Sequence, residues 1–383
     1  MPMTKRAISA LSILILLLII IIQWSALGIS TKIQQPNWIK FLIWSVSNYC
    51  WTSPPSWMEQ TVWESWEKLH GSSNRTANFI PSQEIPCMSI QDQQNPLEFL
   101  EAKYGPNWKD RPLLLKGLWK RNIVNENNRR LSLEGLLHEN LTISYFSDAR
   151  NPDLLSPDER APIREIVAGM QAGYFHKIGT QNLVNKYPDL LHEVAPLNIV
   201  KKLFGDYHFQ EDNIIGTGIL NKWMLPKTLT VPVFVARSTN TNNITSRQCD
   251  VDSNRCQLHA ITSLHCEPIS NLAVQLAGVR EWTLINPEYS TQLRPFLGDR
   301  AYFFSNWHES YHHIPRYHVQ TRKGDALWLP AWTWHKVDYH HTSSTENDIS
   351  IAASLFHFRP IDFIRRNPLY AFLVLPKFIQ EAV

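Results

Sequence analysis

The sequence has no excess of charge of either sign. Its 37 basic and 34 acidic residues leave a formal net charge of +3, too balanced to imply nucleic acid as a partner. Cysteine is scarce: five in 383 residues, enough for two pairs with one thiol left over. No internal repeat or low-complexity tract occurs outside the N-terminal apolar run, which excludes a solenoid or array. The apolar block at 369–375, flanked by prolines, is too short to span a bilayer. What remains is ordinary globular composition, 44% hydrophobic and 19% charged, long enough for one large catalytic domain with extensions.

The N-terminus is the exception. Lys5 and Arg6 precede an uncharged run over 7–31, with unbroken aliphatics at 13–22. A helix of about 20 apolar residues crosses a bilayer, and basic residues before it favour a cytoplasmic N-terminus. The expectation is a cytoplasmic tail at 1–6, a single-pass signal-anchor at 7–29 and a type II topology. The rest of the chain then lies in the ER or Golgi lumen or outside the cell. A cleaved signal peptide, with Ala26-Leu27-Gly28 as its site, is the alternative and leads to secretion. Sequons at Asn74, Asn140 and Asn243 are candidate glycosylation acceptors in either case. An oxidising lumen would also permit a disulfide between Cys249 and Cys256, and another between Cys50 and Cys87. Cys266 is then the unpaired thiol.

Residues 30–82 form a stem with six tryptophans, which sit at the membrane interface or pack on the folded domain. A domain is expected from 83 to 360. Asn95-Pro96 starts a helix, with Asn95 as cap and Pro96 at its first position. Residues 111–117 read as a strand, 131–137 as a short helix, 141–146 as a strand, and 161–204 as mainly helical. From about 213 the texture changes to short strands, at 231–236, 257–264, 272–276, 281–285, 326–329 and 349–353. Ser238 to Arg255 is a polar insertion among them. Strands at this spacing predict a mainly β fold with flanking helices, a barrel or double-sheet jelly roll. The tail, 361–383, is expected to be a packing helix or a homodimer contact.

The chemistry centres on His265-Cys266-Glu267. Residues two apart on a strand share a face, so the imidazole and carboxylate converge while Cys266 faces away. A histidine from a neighbouring strand would complete a two-His-one-carboxylate face, which holds Fe(II) and leaves positions open. His335, expected beyond the end of the strand at 326–329, is that histidine. His312, His313 and His318 are assigned to a loop, and His340 and His341 to solvated positions; His259 and His357 are expected to be structural.

These residues resemble the JmjC and cupin-like domains of the Fe(II)/2-oxoglutarate oxygenases, over residues 83–360. The resemblance runs through Glu98-Phe99, Tyr104 and 111–118, then Thr262-x-x-His265-x-Glu267, Asn271, Gln275-Leu276-x-Gly278, Arg280-x-Trp282 and Pro287. It continues through Gly324-Asp325 and the strand ending at Pro330 to Trp334-His335. It implies a double-stranded β-helix fold with iron held by His265, Glu267 and His335. It also implies a co-substrate site for 2-oxoglutarate at Thr262, Asn271, Arg280 and Ser354. Arg280 stands where many relatives have a lysine, and Ser354 where relatives such as the asparaginyl hydroxylase have an asparagine. Arginine and lysine are not interchangeable at a carboxylate. The residues alone also allow Arg280 to be an exposed cation paired with Glu281 or Glu288. The implied activity couples decarboxylation of 2-oxoglutarate to succinate with hydroxylation or demethylation of a substrate, a protein being expected. A non-catalytic lumenal interaction module is the second class. A sugar-acting cupin or zinc hydrolase is the third, disfavoured because no general base is evident beside the triad.

Overall fold

Alternation of apolar and polar residues in short runs predicts sheets buried on one or both faces. The computed structural model describes residues 85–89, 96–105, 108–118, 130–151, 154, 156–190, 194, 229–240, 259–293, 295–297, 302–305, 314–341 and 348–357. Its first half runs β1 (Cys87–Ser89), α1 (Pro96–Tyr104), β2 (Leu113–Lys116), α2 (Leu133–Leu137), β3 (Thr142–Phe146) and β4 (Glu159–Pro162). Then come α3 (Ile163–Ala172), β5 (Lys177–Thr180), α4 (Asn182–Lys186), β6 (Leu229–Thr230), β7 (Val233–Arg237) and β8 (Thr239–Asn240). The second half is all strand apart from one 3₁₀ turn: β9 (Ala260–Cys266), β10 (Ser270–Ala277), β11 (Val279–Ile285), β12 (Pro295–Leu297) and β13 (Phe303–Ser305). It ends with β14 (Tyr317–Arg322), β15 (Ala326–Leu329), β16 (Trp334–His341) and β17 (Ile349–His357).

Two almost wholly antiparallel sheets result. The larger has the order β1-β2-β15-β10-β17-β7-β5-β3-β4, with β6 on β17; the smaller is β12-β13-β9-β16-β11-β14, with β8 on β16. Successive strands from β9 to β11, and again from β14 to β17, alternate between the sheets, so the chain winds round a shared interior as in a jelly roll.

The period-two pattern of the larger sheet assigns its faces. Leu272, Val274, Leu276, Leu113, Leu115 and Trp328 pack with Ile163, Ile166, Val167 and Met170 of α3. Their strand neighbours Ala273, Leu114, Leu327 and Leu329 pack instead with Trp282, Leu284, Val337 and Tyr339 of the smaller sheet. Helices therefore cover one face of the larger sheet and the smaller sheet covers the other. The four α3 residues recur at i, i+3, i+4 and i+7, the spacing of one helical face.

Most expected elements form. The helical reading of 161–204 is corrected: α3 stops at Gly173, whose φ of 113° is left-handed, a conformation glycine adopts without Cβ strain. A strand, β5, follows directly. Strand β14 occupies part of the stretch read as a loop, so His318 lies on a strand. His335 does not trail β15 but stands second in a strand of its own, β16. Cys87 is a free, exposed thiol, and its expected partner Cys50 lies outside the described residues; Cys266 is free, as expected, and buried.

The described residues lie within a compact unit, Asn78–Phe363. Among them no helix is long and apolar enough to cross a membrane. The segment at 7–29, the stem up to 82, Asn74, Asn243, Cys50, Cys249, Cys256, His312, His313 and the tail at 361–383 lie outside the described residues.

Candidate metal centre

Strands β9 and β16 are direct neighbours, with His335 opposite His265 and Val337 opposite Thr262. Between these pairs one residue of β16, Lys336, faces two of β9, Ser263 and Leu264, which is a β-bulge. The bulge has a consequence for side-chain direction. Residues three apart ordinarily face opposite ways on a strand, yet here Thr262 and His265 each sit beside an inward residue of β16. Leu284 pairs with His335 on the other side, so both histidines enter the interior between the sheets.

His265, Glu267 and His335 are all buried, and their ligand atoms lie within 4.8 Å of one another, the one such group of histidine, cysteine or acid side chains among the described residues. The two rings stand 4.2 Å apart between centroids, and His265 Nε2 is 3.5 Å from Glu267 Oε1. Each histidine uses its other nitrogen locally. His265 Nδ1 contacts the Ser263 carbonyl at 2.7 Å, and His335 Nδ1 contacts the Thr333 carbonyl at 3.0 Å. A carbonyl can only accept, so Nδ1 carries the proton and Nε2 presents a lone pair. That is how metal-binding histidines are oriented.

The loops carrying the ligands are clipped together. Trp332 N donates to Glu267 O at 2.8 Å, and Ala331 N donates to Ser270 Oγ at 3.2 Å. Trp332 holds a positive φ of 65°, an unusual state for a bulky residue that surrounding structure must impose. The expected aromatic packing is present: Trp332 and Trp334 are fully buried, and Trp334 Nε1 donates to Ser290 Oγ.

Burial dominates the electrostatics. It lowers both histidines to about 4, with Lys177 adding to the effect on His265 and the neighbouring His265 adding to that on His335. It raises Glu267 to about 7, against the attraction of His335. Neutral imidazoles are the ligating form, and a buried carboxylate is costly until a cation arrives. Glu267 Oε2 has no hydrogen-bond partner, nor has the buried Asn271 Oδ1. An orphaned oxygen beside two free Nε2 atoms fits a dication. The donor set, two imidazoles and one carboxylate, suits iron of the type expected.

The remaining expected residues divide. Thr262 Oγ1 lies 3.4 Å from Tyr339 Oη on the inward side. Asn271 is buried opposite Phe356 and Leu329. Ser354 is buried on β17 opposite Ala273. Arg280 is no exposed cation. It is 1% exposed, donating from Nε to Ser350 Oγ at 3.0 Å and from Nη2 to the Phe234 carbonyl at 2.9 Å. Its guanidinium stands 5.1 Å from the Tyr339 ring centroid.

One group escaped the sequence reading. Lys177 on β5 is fully inside, with Nζ 3.1 Å from the Ile261 carbonyl and 3.5 Å from Thr262 Oγ1. Burial, then the nearby Arg280, lowers its amine to about 7. Gly173, read as a helix stop, would have released this segment as a strand. Of the histidines, His259 meets Asp338, His340 meets Glu281 and His318 meets Thr283. These are ties between neighbouring side chains on the smaller sheet.

No curated protein matches the chain. Residues 251–363 match the family model of the cupin-like domain. They span every strand from β9 to β17 and all three clustered ligands, so this part of the chain is similar to a cupin-like domain.

Proposed function

We propose that the protein is an Fe(II)/2-oxoglutarate-dependent oxygenase that hydroxylates or demethylates a protein or other lumenal substrate. In this reading residues 7–29 anchor it in a membrane of the secretory pathway, with the cupin-like domain on the lumenal side. One observation carries the proposal. Ligand atoms of His265, Glu267 and His335 converge within 4.8 Å in the interior of a cupin-like sandwich, with Glu267 Oε2 left unpartnered.

His265, Glu267 and His335 would hold the metal, which supplies oxygen activation coupled to oxidative decarboxylation of the co-substrate. Three protein ligands leave coordination positions free for small molecules. The carbonyls of Ser263 and Thr333 fix the imidazoles, so ligand geometry is set before metal arrives. Phe304, Tyr302 and Trp282 stand within 5.7–6.1 Å of the two rings, and such rings exclude water from the centre. Thr262 and Asn271 offer polar atoms on the same inward side for orienting a co-substrate.

Arg280 favours a second reading, a non-catalytic interaction module. The two donors described above are spent on the fold, as they would be in a domain that had kept the architecture without turnover.

The test uses the full-length chain loaded anaerobically with Fe(II). Bound iron near one per chain, binding of 2-oxoglutarate and formation of succinate with oxygen are expected. His335→Ala or His265→Ala should abolish iron binding, with affinity falling by at least about 100-fold. Iron retained in both variants would end the triad assignment. Iron bound with no uptake of 2-oxoglutarate would favour the interaction module.

A further inference from the structure

The outward face of the smaller sheet carries a second group of ligand-type side chains. His259 stands immediately before β9, and His340 follows Tyr339, which pairs with Ala260 across β9 and β16. Their rings meet at 4.7 Å between centroids. Each ring is backed by a carboxylate: His259 Nε2 is 3.0 Å from Asp338 Oδ1, and His340 Nε2 is 3.2 Å from Glu281 Oε2. Glu281 and Asp338 are themselves opposed across β11 and β16, a like-charged cross-strand pair that is unfavourable until cations balance it. Lys336 supplies one cation, at 2.9 Å from Asp338.

These bonds decide which nitrogen is left over. The His340 bond holds Glu281 below its ordinary range. Burial pushes Asp338 up, but bonds from His259 and Lys336 outweigh it and leave that carboxyl low as well. An ionised carboxylate only accepts, so each Nε2 donates and Nδ1 of the neutral ring carries the lone pair. A histidine whose other nitrogen donates to a carboxylate is oriented as metal ligands are, and here the arrangement occurs twice in touching rings. An ordinary ion-pair network would show the same bonds; a separate observation goes further. His340 Nδ1 is buried without a hydrogen-bond partner, and so is the hydroxyl of Thr239, which pairs with His340 where β8 meets β16. Residues opposed across paired strands project to one face, so two orphaned polar atoms fall on the same side beside His259. Such atoms call for a water or an ion. The place is reachable, since the His259 and His340 side chains are 19% and 20% exposed.

We propose that His259 and His340 bind a second divalent transition-metal ion through their Nδ1 atoms, on the outer face of the smaller sheet. Zinc is the fitting class, since imidazole nitrogen is among its ordinary donors at about 2.0–2.1 Å. Two nitrogens on one such ion stand no more than about 4 Å apart, a span within reach of rings whose centroids are 4.7 Å apart. Asp338 and Glu281 hold the two rings and offset the charge of the ion. Water fills its remaining positions, with the Thr239 hydroxyl placed to bind it. The ion performs no chemistry on a substrate. It clips β9 to β16 at the end opposite the His265–His335 pair, and the assignment stands apart from the oxygenase reading.

The experiment is equilibrium dialysis of the full-length chain against zinc. It is run well above neutral pH, because the Glu281 bond raises His340 above its ordinary value and a protonated ring cannot ligate. The unmodified chain should hold two zinc ions, and His335→Ala, which removes a buried ligand, should hold one. His259→Ala and His340→Ala should each weaken the surface ion by about 100-fold and leave the buried ion in place, which also reports that the variant is folded. Glu281→Gln removes no ligand and should weaken the same ion by about 10-fold; it reads the site even where an alanine variant fails to fold. A single ion in the unmodified chain that is indifferent to His340→Ala and Glu281→Gln overturns the proposal, the orphaned atoms then being served by water. Two ions whose affinities are unchanged in both variants overturn it equally. A single ion kept in His335→Ala and lost in His340→Ala leaves the surface site standing and ends the buried triad instead.

Discussion

At the scale of single residues, Glu267 carries opposite consequences in the two states of the centre. Its carboxyl is buried beside neutral imidazoles, and burial raises it to about 7. A raised carboxyl favours the protonated form on folding. In the metal-free protein its contribution is therefore best below its ordinary range and worsens as pH climbs from about 4.5 to about 7. Glu267→Gln keeps the shape and removes the charge. The metal-free variant should equal the parent near pH 4 and exceed it at pH 8 by on the order of 2–3 kcal/mol. With metal present the order reverses, because the amide is a poorer ligand than the carboxylate. Thermal or denaturant unfolding with and without Mn(II) at both pH values checks this. A variant no more stable than the parent at pH 8 without metal would show that Glu267 is not held as an uncompensated buried charge. The convergence of His265 and Glu267 was legible in the sequence from their i, i+2 spacing, although Glu267 stands one residue past the end of β9. Lys177 was not, because a buried cation has no local pattern and its partners are 84 and 85 positions away.

At the scale of elements, the turns and irregularities decide which side chains meet. Strands β9, β10, β11, β15 and β17 followed from short apolar runs bounded by turns, as with Ala326-Leu327-Trp328-Leu329, whereas β12, β13 and β16 were not read. Nor was the bulge in β9, because it is a property of pairing with β16 rather than of β9 alone. It nonetheless brings Thr262 to the inward side with His265. Likewise β5 was hidden by reading continuous helix past Gly173, and β14 by the polar texture of its tract. Gly278 is the clearest case of a turn set by one residue. It alone joins β10 in the larger sheet to β11 in the smaller, with φ of +66°. A Cβ there would lie 2.7 Å from Ile349 O and 2.9 Å from Ser350 Cα, backbone atoms of a central strand that cannot swing aside. Gly278→Ala adds left-handed strain of about 1–2 kcal/mol to that clash. The expected loss exceeds about 2 kcal/mol and lowers the melting temperature by roughly 5 °C or more. An unchanged melting temperature would mean that β10 and β17 separate there without cost.

At the scale of the molecule, the asymmetry of the sandwich divides labour between its sheets. The larger sheet is buried on both faces, by helices outside and the smaller sheet inside, and supplies Asn271, Ser354 and Lys177. The smaller sheet supplies both histidines and turns outward a polar face on which His340 meets Glu281 and Lys336 meets Asp338. If the anchor proposed at 7–29 holds, this surface would face the lumen. Asn140 lets the topology be tested. It is exposed, in the short link between α2 and β3, and Thr142 completes its sequon where an enzyme could reach it from solvent. In cells with a secretory pathway, the full-length chain should remain with membranes after carbonate washing and lose mass on enzymatic deglycosylation. Asn140→Gln should remove one glycan's worth of that shift and leave the membrane association unchanged. Release by carbonate would instead point to cleavage near Ala26-Leu27-Gly28. Absence of any glycan at Asn140, Asn74 and Asn243 would place the domain on the cytosolic side, where the orientation argued from Lys5 and Arg6 fails.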